Sequence, residues 1–231
     1  MKRTPQAIAA IMLMFATVLV MGCTEKDTTG TESTDDWVDL GLPSGLLWAT
    51  RNVGASSPTD YGNYYAWGET AKKEIYDWST YRYCTVDEEG ELQTLTKYNT
   101  RSQYGTVDSL TTLEAMDDAA TEVLGNGARI PTKEEWQELM DNTSSEWTTL
   151  NGVNGRMFTA TNGNSLFLPA SGRRHDSERY YAGEYGIYWS ASLREDNPSV
   201  AWRFIFHSDD QSMSNCRRCN GPATRPVRSA Q

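Results

Sequence analysis

The stretch from Tyr188 to Arg228 constrains the fold most, because stiff apolar residues alternate there with mixed polar segments. Between positions 200 and 207, Trp202, Phe204 and Phe206 fall on one face of an extended strand, and the intervening residues fall on the other. The polar segments cover positions 193–198, 207–215 and 217–221. The pattern predicts buried strands that carry a chemically varied surface between them.

The first 22 residues have the features of a secretory signal peptide. A charged start, Met1-Lys2-Arg3, precedes an apolar run from Ala7 to Met21, which is shorter than the about 20 residues of a membrane-spanning helix. The run ends in Gly22-Cys23 and so resembles the lipobox of bacterial lipoproteins. That resemblance implies cleavage before Cys23 and its acylation (palmitate-type chains), since several acyl chains are needed for stable anchoring. The alternative is an ordinary signal peptide with an incidental cysteine.

Positions 24–36 contain no apolar residue, so this segment cannot bury itself and is predicted to be a disordered tether. The residues Glu25-Lys26-Asp27 resemble the surface-export signal of Bacteroidota lipoproteins, which implies an outer-membrane lipoprotein exposed to the medium. Because of this lipid anchor, the outer membrane is the first partner that we predict for the protein. We therefore expect three parts: a signal peptide (1–22), a lipidated tether (23–36) and one domain (37–231).

The net charge of the chain disfavours one class of partner, and its basic residues are biased toward one type. A formal net charge of −10 disfavours nucleic acid, because phosphate binding needs a basic surface. After Lys133 every basic residue is arginine. Arginine suits recognition, because its planar guanidinium donates several directed hydrogen bonds and stacks on rings. Chance composition explains the bias equally well, so both interpretations stay open.

Two helices are predicted in the middle of the chain. In the first, over 113–124, an apolar face is formed by Leu113, Met116, Ala120, Val123 and Leu124. The second begins near Arg129 and ends at Met140, with a capping box of Thr132 and Glu135. Its predicted buried residues are Trp136, Leu139 and Met140.

Strands are predicted on both sides of these helices. Residues 37–48 are expected to form two short strands around a Pro-Ser-Gly turn, with Trp37, Leu40, Leu46 and Trp48 buried. Further strands are predicted at 157–160, 166–170, 188–192, 200–207 and 224–227, the first two joined by an Asn-Gly-Asn hairpin turn. The polar, tyrosine-rich region 72–111 has no predicted element.

Several ordered motifs carry a family resemblance over 37–228. They are VDLGLPSGLLWAT from Val38, YAWGET from Tyr65, ARIPT from Ala128 with Glu135-Trp136, FLPA from Phe167, YWS from Tyr188 and RPV from Arg225. Together they resemble the Fibrobacter succinogenes major paralogous domain family. The ARIPT piece is also similar to formylglycine-generating enzymes. The resemblance implies an α+β, C-type lectin-like domain with two helices, a small twisted antiparallel sheet, long loops, and first and last strands brought together.

The C-terminal pattern also resembles the variable proteins of diversity-generating retroelements, which keep a fixed scaffold and diversify residues near the C-terminus. Diversification of the segments between Tyr188 and Arg228 is therefore one hypothesis. A near-duplicate template repeat beside the gene would support it.

The first functional interpretation is a cell-surface binding protein with an exposed surface near its C-terminus. Tyrosine and arginine contribute much contact energy at modest entropic cost. The candidate ligand-binding residues are Arg174, His175, Arg179, Tyr181, Arg194, Arg203, His207, Asp209, Asp210, Asn215 and Arg217. An extracellular protein or a glycan is the expected ligand. No cofactor is expected, and calcium enters only by analogy with the lectin-like fold.

Two other interpretations stay open, an enzyme and a structural component of a surface appendage or glycan-uptake complex. An oxidase of the formylglycine-generating type would use Cys216 and Cys219, but their spacing and surroundings depart from that pattern. The same pair does not complete a zinc site, which needs four ligands. No Gly-x-Ser-x-Gly elbow, phosphate loop or His-Glu-x-x-His motif occurs in the sequence.

Overall fold

The computed structural model describes residues 36–230. The predicted signal peptide, the lipidation site Cys23 and the tether up to residue 35 lie outside the described residues, so these predictions stay predictions. The described part begins at Asp36, whose carboxylate forms an ion pair of 2.7 Å with Arg51. Within residues 36–230, no helix is long and apolar enough to cross a membrane.

Fourteen short strands and two α-helices are formed by residues 36–230. The strands are β1 (Trp37–Asp39), β2 (Leu46–Ala49), β3 (Cys84–Val86), β4 (Leu92–Leu95), β5 (Thr143–Leu150), β6 (Val153–Ala160), β7 (Ser165–Pro169), β8 (Arg173–His175), β9 (Glu178–Tyr180), β10 (Gly186–Leu193), β11 (Val200–Phe206), β12 (Gln211–Arg217), β13 (Gly221–Pro222) and β14 (Val227–Ser229). The α-helices are α1 (Ala119–Leu124) and α2 (Lys133–Asn142), and 3-10 turns occur at Trp78–Thr80, Ser102–Tyr104 and Ala115–Asp117.

The strands form five small antiparallel sheets in the described part of the chain. Their strand orders are β1-β2-β14, β3-β4, β5-β6-β7, β9-β8-β13 and β10-β11-β12. The structure is mostly β, with 38% strand and 13% helix. The predicted α+β fold of the C-type lectin-like class is therefore wrong, because five separate small sheets do not correspond clearly to that architecture.

The shortened first helix is one reason for the difference. The backbone N–H of Leu113 donates to Ala191 rather than starting a helix, and the α-helix begins only after Asp118, whose carboxylate accepts from the N–H groups of Ala120 and Thr121. Met116 is 69% exposed, so the predicted apolar face does not exist as a buried stripe. A second reason is β5, an eight-residue strand in a segment with no predicted element.

Helix α2 confirms its prediction. The Thr132 side chain accepts from the Glu135 N–H, and the Glu135 carboxylate accepts from the Thr132 N–H, which completes the capping box. Trp136 and Leu139 are fully buried, and Met140 is partly buried. The helix therefore packs against one side of the core with the apolar residues that its sequence predicts to be buried.

The core consists of two groups of buried residues. One lies around Trp48, Trp136, Phe204 and Phe206, where Trp136 stacks on Phe204 with ring centroids 4.8 Å apart. The other lies around Trp189 and is rich in tyrosine. Its tyrosines include Tyr76, Tyr81 and Tyr98, from the region without a predicted element. That region is thus part of the core.

The final strand returns to the start of the domain, as predicted, but its partner is β2 and not β1. Val227 pairs with Trp48, and the Ala49 N–H donates to the Pro226 carbonyl. Just before this strand, the buried guanidinium of Arg225 donates to the carbonyl oxygens of Ala49 and Phe167. Arg225 therefore serves the fold and is not available for recognition.

Candidate functional site

Strand β11 has one face turned away from Phe204 and Phe206. Arg203 and Ile205 lie on this face at a spacing of two, and they pair with Ser214 and Ser212 of β12. Arg203 and Ile205 are half-buried, whereas the phenylalanines on the opposite face are fully buried. The alternation predicted from sequence therefore produces a polar face that holds an arginine.

Strand β8 brings a second arginine to the same place. Arg173 pairs with Tyr180 across the β8-β9 hairpin, and its Nη1 lies 3.4 Å from the sulfur of Cys216 on β12. Asn220 also donates to this sulfur, at 3.1 Å. The Cys216 thiol thus lies where β8 meets β12, beneath both Arg173 and Arg203.

A tight turn at 181–185 carries two tyrosines beside the arginines. The Gly172 N–H donates to the Tyr185 carbonyl at 2.8 Å, and the Gly183 N–H donates to Ala170 at 2.7 Å. Gly172 has φ +63°, and a Cβ there would lie 2.1 Å from the carbonyl oxygen of Tyr180. Only glycine therefore lets the turn pack this closely.

Tyr181 occupies an unusual backbone conformation on that turn. Its φ is +63°, and its side chain is 49% exposed. Left-handed backbone at a non-glycine residue costs free energy and is found often at functional sites. Burial of the ring does not explain the strain, because the ring is half in solvent.

Ring contacts extend this surface to the end of β11. The Tyr181 and Tyr185 rings lie 5.3 Å apart, and the Tyr185 and His207 rings also lie 5.3 Å apart. We call the surface formed by Arg173, Arg203, Tyr181, Tyr185 and His207 the arginine–aromatic face. It unites three separate parts of the chain: the β8 strand, the turn after β9, and β11 with the residue that follows it.

The electrostatics of this face are unbalanced. Burial lowers the pKa of Arg203, and the neighbouring Arg173 charge adds to this, whereas the Cys216 sulfur and Tyr181 act in the opposite direction. Within residues 36–230, neither Arg173 nor Arg203 forms an ion pair, and the Nε atoms of both are buried without a hydrogen-bond partner. The two guanidiniums therefore lie close together, and no carboxylate in the described residues compensates their positive charge.

Three of the eleven predicted residues belong to the arginine–aromatic face: Arg203, Tyr181 and His207. His175 lies at its border, since its ring is 6.0 Å from that of Tyr180. Arg174 and Arg179 pair with each other on the opposite face of the β8-β9 hairpin, where Arg179 lies over the Tyr61 ring at 5.3 Å.

The other five predicted residues lie elsewhere. Arg194 forms a two-pronged ion pair with its neighbour Asp196. Asp209 and Asp210 occupy the exposed turn between β11 and β12. Asn215 pairs with Trp202 on the opposite face of β11 and β12, and Arg217 is exposed at the end of β12.

Sequence reasoning missed Arg173 and Tyr185. In the pair Arg173-Arg174 only one residue can face β12, and the sequence does not show which. Tyr185 resembles any loop tyrosine until the turn is folded. The polar segment 217–221 was also predicted to be surface, yet Arg218, Cys219 and Asn220 are buried.

The two cysteines proposed for an enzyme are buried free thiols. Cys216 is 5% exposed and Cys219 is 1% exposed. Burial raises the pKa of Cys219 to about 12, so the reactive thiolate is disfavoured at neutral pH. Both cysteines therefore lie beneath the surface to which they were assigned. In the described part of the chain, no three His, Cys, Asp or Glu side chains are grouped so as to hold a metal ion.

Comparison with models of protein families, with characterised proteins and with solved structures gives no significant match.

Proposed function

We propose that this chain is a ligand-binding protein displayed on the outer surface of a bacterial outer membrane, with the arginine–aromatic face as its binding surface. The anchor is the acylated Cys23 and the ligand is extracellular. The single observation that carries the binding role is the pair of guanidiniums, Arg173 and Arg203, which have no ion-pair partner among residues 36–230 and lie beside the exposed ring of Tyr181.

The construction of the face supports binding. Its residues project from strands and from a turn that is pinned by backbone hydrogen bonds at Gly172 and Gly183. A pre-organised surface loses little conformational entropy when a ligand binds. Tyrosine and arginine are also among the residue types that contribute most to recognition.

The thiols support binding over oxidase chemistry. A catalytic cysteine needs an accessible, low-pKa sulfur, whereas Cys219 is buried and its pKa is raised. Cys216 instead accepts hydrogen bonds from Arg173 and Asn220 and so helps to position the arginine. We therefore propose no enzymatic role for either sulfur.

Membership in the major paralogous domain family is part of the same proposal, on the motifs named above. Diversification is a narrower hypothesis within it. It would vary exposed positions such as Ser212 while keeping the buried Phe204 and Phe206. Sequencing the region around the gene for a template repeat tests this hypothesis separately.

Two measurements test the proposed function. Antibody labelling of intact cells tests display: we expect labelling of the native chain and its loss from the cell surface in Cys23→Ser. A screen of glycans and surface proteins tests binding, with the double variant Tyr181→Ala/Tyr185→Ala as comparison. Absence of labelling on intact cells contradicts the location, and equal capture by the variant contradicts the assigned face.

A further inference from the structure

Two cations without an anion are costly in a folded protein. A buried charge is normally paired, because desolvation penalises the charged form. Arg173 and Arg203 instead have the Cys216 sulfur between them, and among residues 36–230 no carboxylate forms an ion pair with either arginine. The nearby acids Glu178 and Glu184 are exposed and form no ion pair with either arginine in the described structure. The imbalance is local, since the whole chain has a net charge of −10.

We propose that Arg173 and Arg203 form an anion subsite that binds the carboxylate of an acidic saccharide, with the sugar ring against Tyr181. This inference depends on the proposed function and specifies its ligand. The guanidinium fork matches the two oxygens of a carboxylate or sulfate, and such charge-assisted hydrogen bonds are the strongest of their kind. The oxyanion would provide the negative charge that neither arginine has in an ion pair among residues 36–230.

The surroundings of the subsite favour a saccharide over an acidic peptide. The apolar faces of Tyr181 and Tyr185 suit a flat ring, and the hydroxyls of Ser212 and Ser214 lie on the same face of the sheet as Arg203. A sugar presents an apolar ring face and hydroxyl groups together.

Calorimetric titration of the full chain in mild detergent tests the subsite with paired probes. Methyl glucuronide is compared with methyl glucoside, and an acetylated aspartyl-tyrosine peptide is compared with its asparaginyl counterpart. We expect the glucuronide to bind at least about tenfold more tightly than the glucoside, the difference that one charge-assisted hydrogen bond gives. Arg173→Gln should reduce glucuronide affinity by a similar factor, and the matched control Arg194→Gln should not.

Each possible result either supports or overturns the proposed anion subsite. Equal affinity for glucuronide and glucoside, absence of glucuronide binding, or unchanged affinity in Arg173→Gln overturns the subsite. Selective binding of the acidic peptide overturns the choice of saccharide. Arg203→Gln is measured as well, with circular dichroism as a check on folding, and Arg173→Gln decides alone if that variant unfolds. Ligand capture in the screen that persists in Arg173→Gln would leave the proposed function intact and remove only this inference.

Discussion

The guanidinium of Arg173 on β8 lies 3.4 Å from the sulfur of Cys216 on β12, so one contact joins two different sheets. The contact sets the position of Arg173 beside Arg203, which pairs with Ser214 two residues before Cys216. The Cys216 sulfur accepts this hydrogen bond, and among residues 36–230 no carboxylate forms an ion pair with either arginine. The relationship thus explains how the fold assembles a positive site and leaves it uncompensated.

Replacing Arg203 by methionine should stabilise the protein. The guanidinium is desolvated next to Arg173 without an ion pair, and an apolar side chain of similar length removes that cost. We expect a gain of about 1 kcal/mol in the free energy of unfolding, measured by urea denaturation, together with loss of anion binding. The control Arg194→Met, at an exposed pair, should leave stability nearly unchanged. A clear loss of stability in Arg203→Met would show that the fold itself satisfies this arginine.

Gly172→Ala should damage the site through the backbone. A Cβ at this position lies 2.1 Å from the Tyr180 carbonyl oxygen, so the turn that carries Tyr181 and Tyr185 has to move. We expect a loss of about 2 kcal/mol in unfolding free energy and of ligand binding.

Gly163→Ala is the matched control, because Gly163 also has positive φ (+86°) but has open space at its Cβ. It should cost about 1 kcal/mol and leave binding unchanged. Equal binding by both variants would show that the 181–185 turn does not form part of the ligand surface.

Arg218→Met should be strongly destabilising, in contrast to Arg203→Met. The Arg218 side chain is fully buried and donates to four acceptors. They are Tyr81 Oη and the carbonyl oxygens of Lys97, Tyr98 and Pro198. Methionine leaves these acceptors unsatisfied, so we expect a loss of at least about 3 kcal/mol in urea denaturation. The exposed neighbour provides the control, since Arg217→Met should cost less than about 1 kcal/mol; similar losses in the two variants would contradict a structural role for Arg218.

The sequence was sufficient to predict the elements whose signals are local. The capping box at Thr132 and the hairpin turn between β6 and β7 depend on residues within a few positions, and both are confirmed. The first helix was not predictable in the same way. The spacing of Met116 and Val123 is typical of the buried face of a helix. The hydrogen bonds of Asp117 with Tyr83 and Tyr98, however, hold this part of the chain in a 3-10 turn.

The site was only partly predictable, because it depends on which arginine faces which way. The arginine bias after Lys133 is visible in sequence, yet Arg218 and Arg225 serve the core while Arg203 serves the surface. Arg173 and Arg203 are 30 positions apart in the sequence, and only the packing of β8 on β12 brings them together. Long-range packing of this kind leaves no local pattern.

Stability should fall in alkaline solution. Burial raises the pKa of Cys219 from its ordinary value of 9.0 to about 12, and burial raises that of Tyr64 from 10.0 to about 12. Below pH 9 both groups are protonated in the folded and unfolded chain, so they add no pH dependence. Above that pH the unfolded chain loses its protons first, and the free energy of unfolding decreases until the folded groups titrate near pH 12.

The slope should approach about 1.4 kcal/mol per pH unit for each group once its unfolded form is deprotonated, above pH 9.0 for Cys219 and above pH 10.0 for Tyr64. Cys219→Ser removes one contribution, so its stability curve between pH 9 and pH 10, from urea denaturation, should be flatter than that of the native chain. An unchanged slope would show that the Cys219 thiol is not protected from solvent.

The most direct test of the central claim follows the NMR signals of the arginine Nε–H groups while methyl glucuronide is added to the full chain. We expect the signals of Arg173 and Arg203 to shift together and to saturate at the same ligand concentration. The signal of Arg194, held by Asp196, should stay in place. Unmoved signals at Arg173 and Arg203, or an equal shift at Arg194, would contradict the assignment of the arginine–aromatic face as the binding surface.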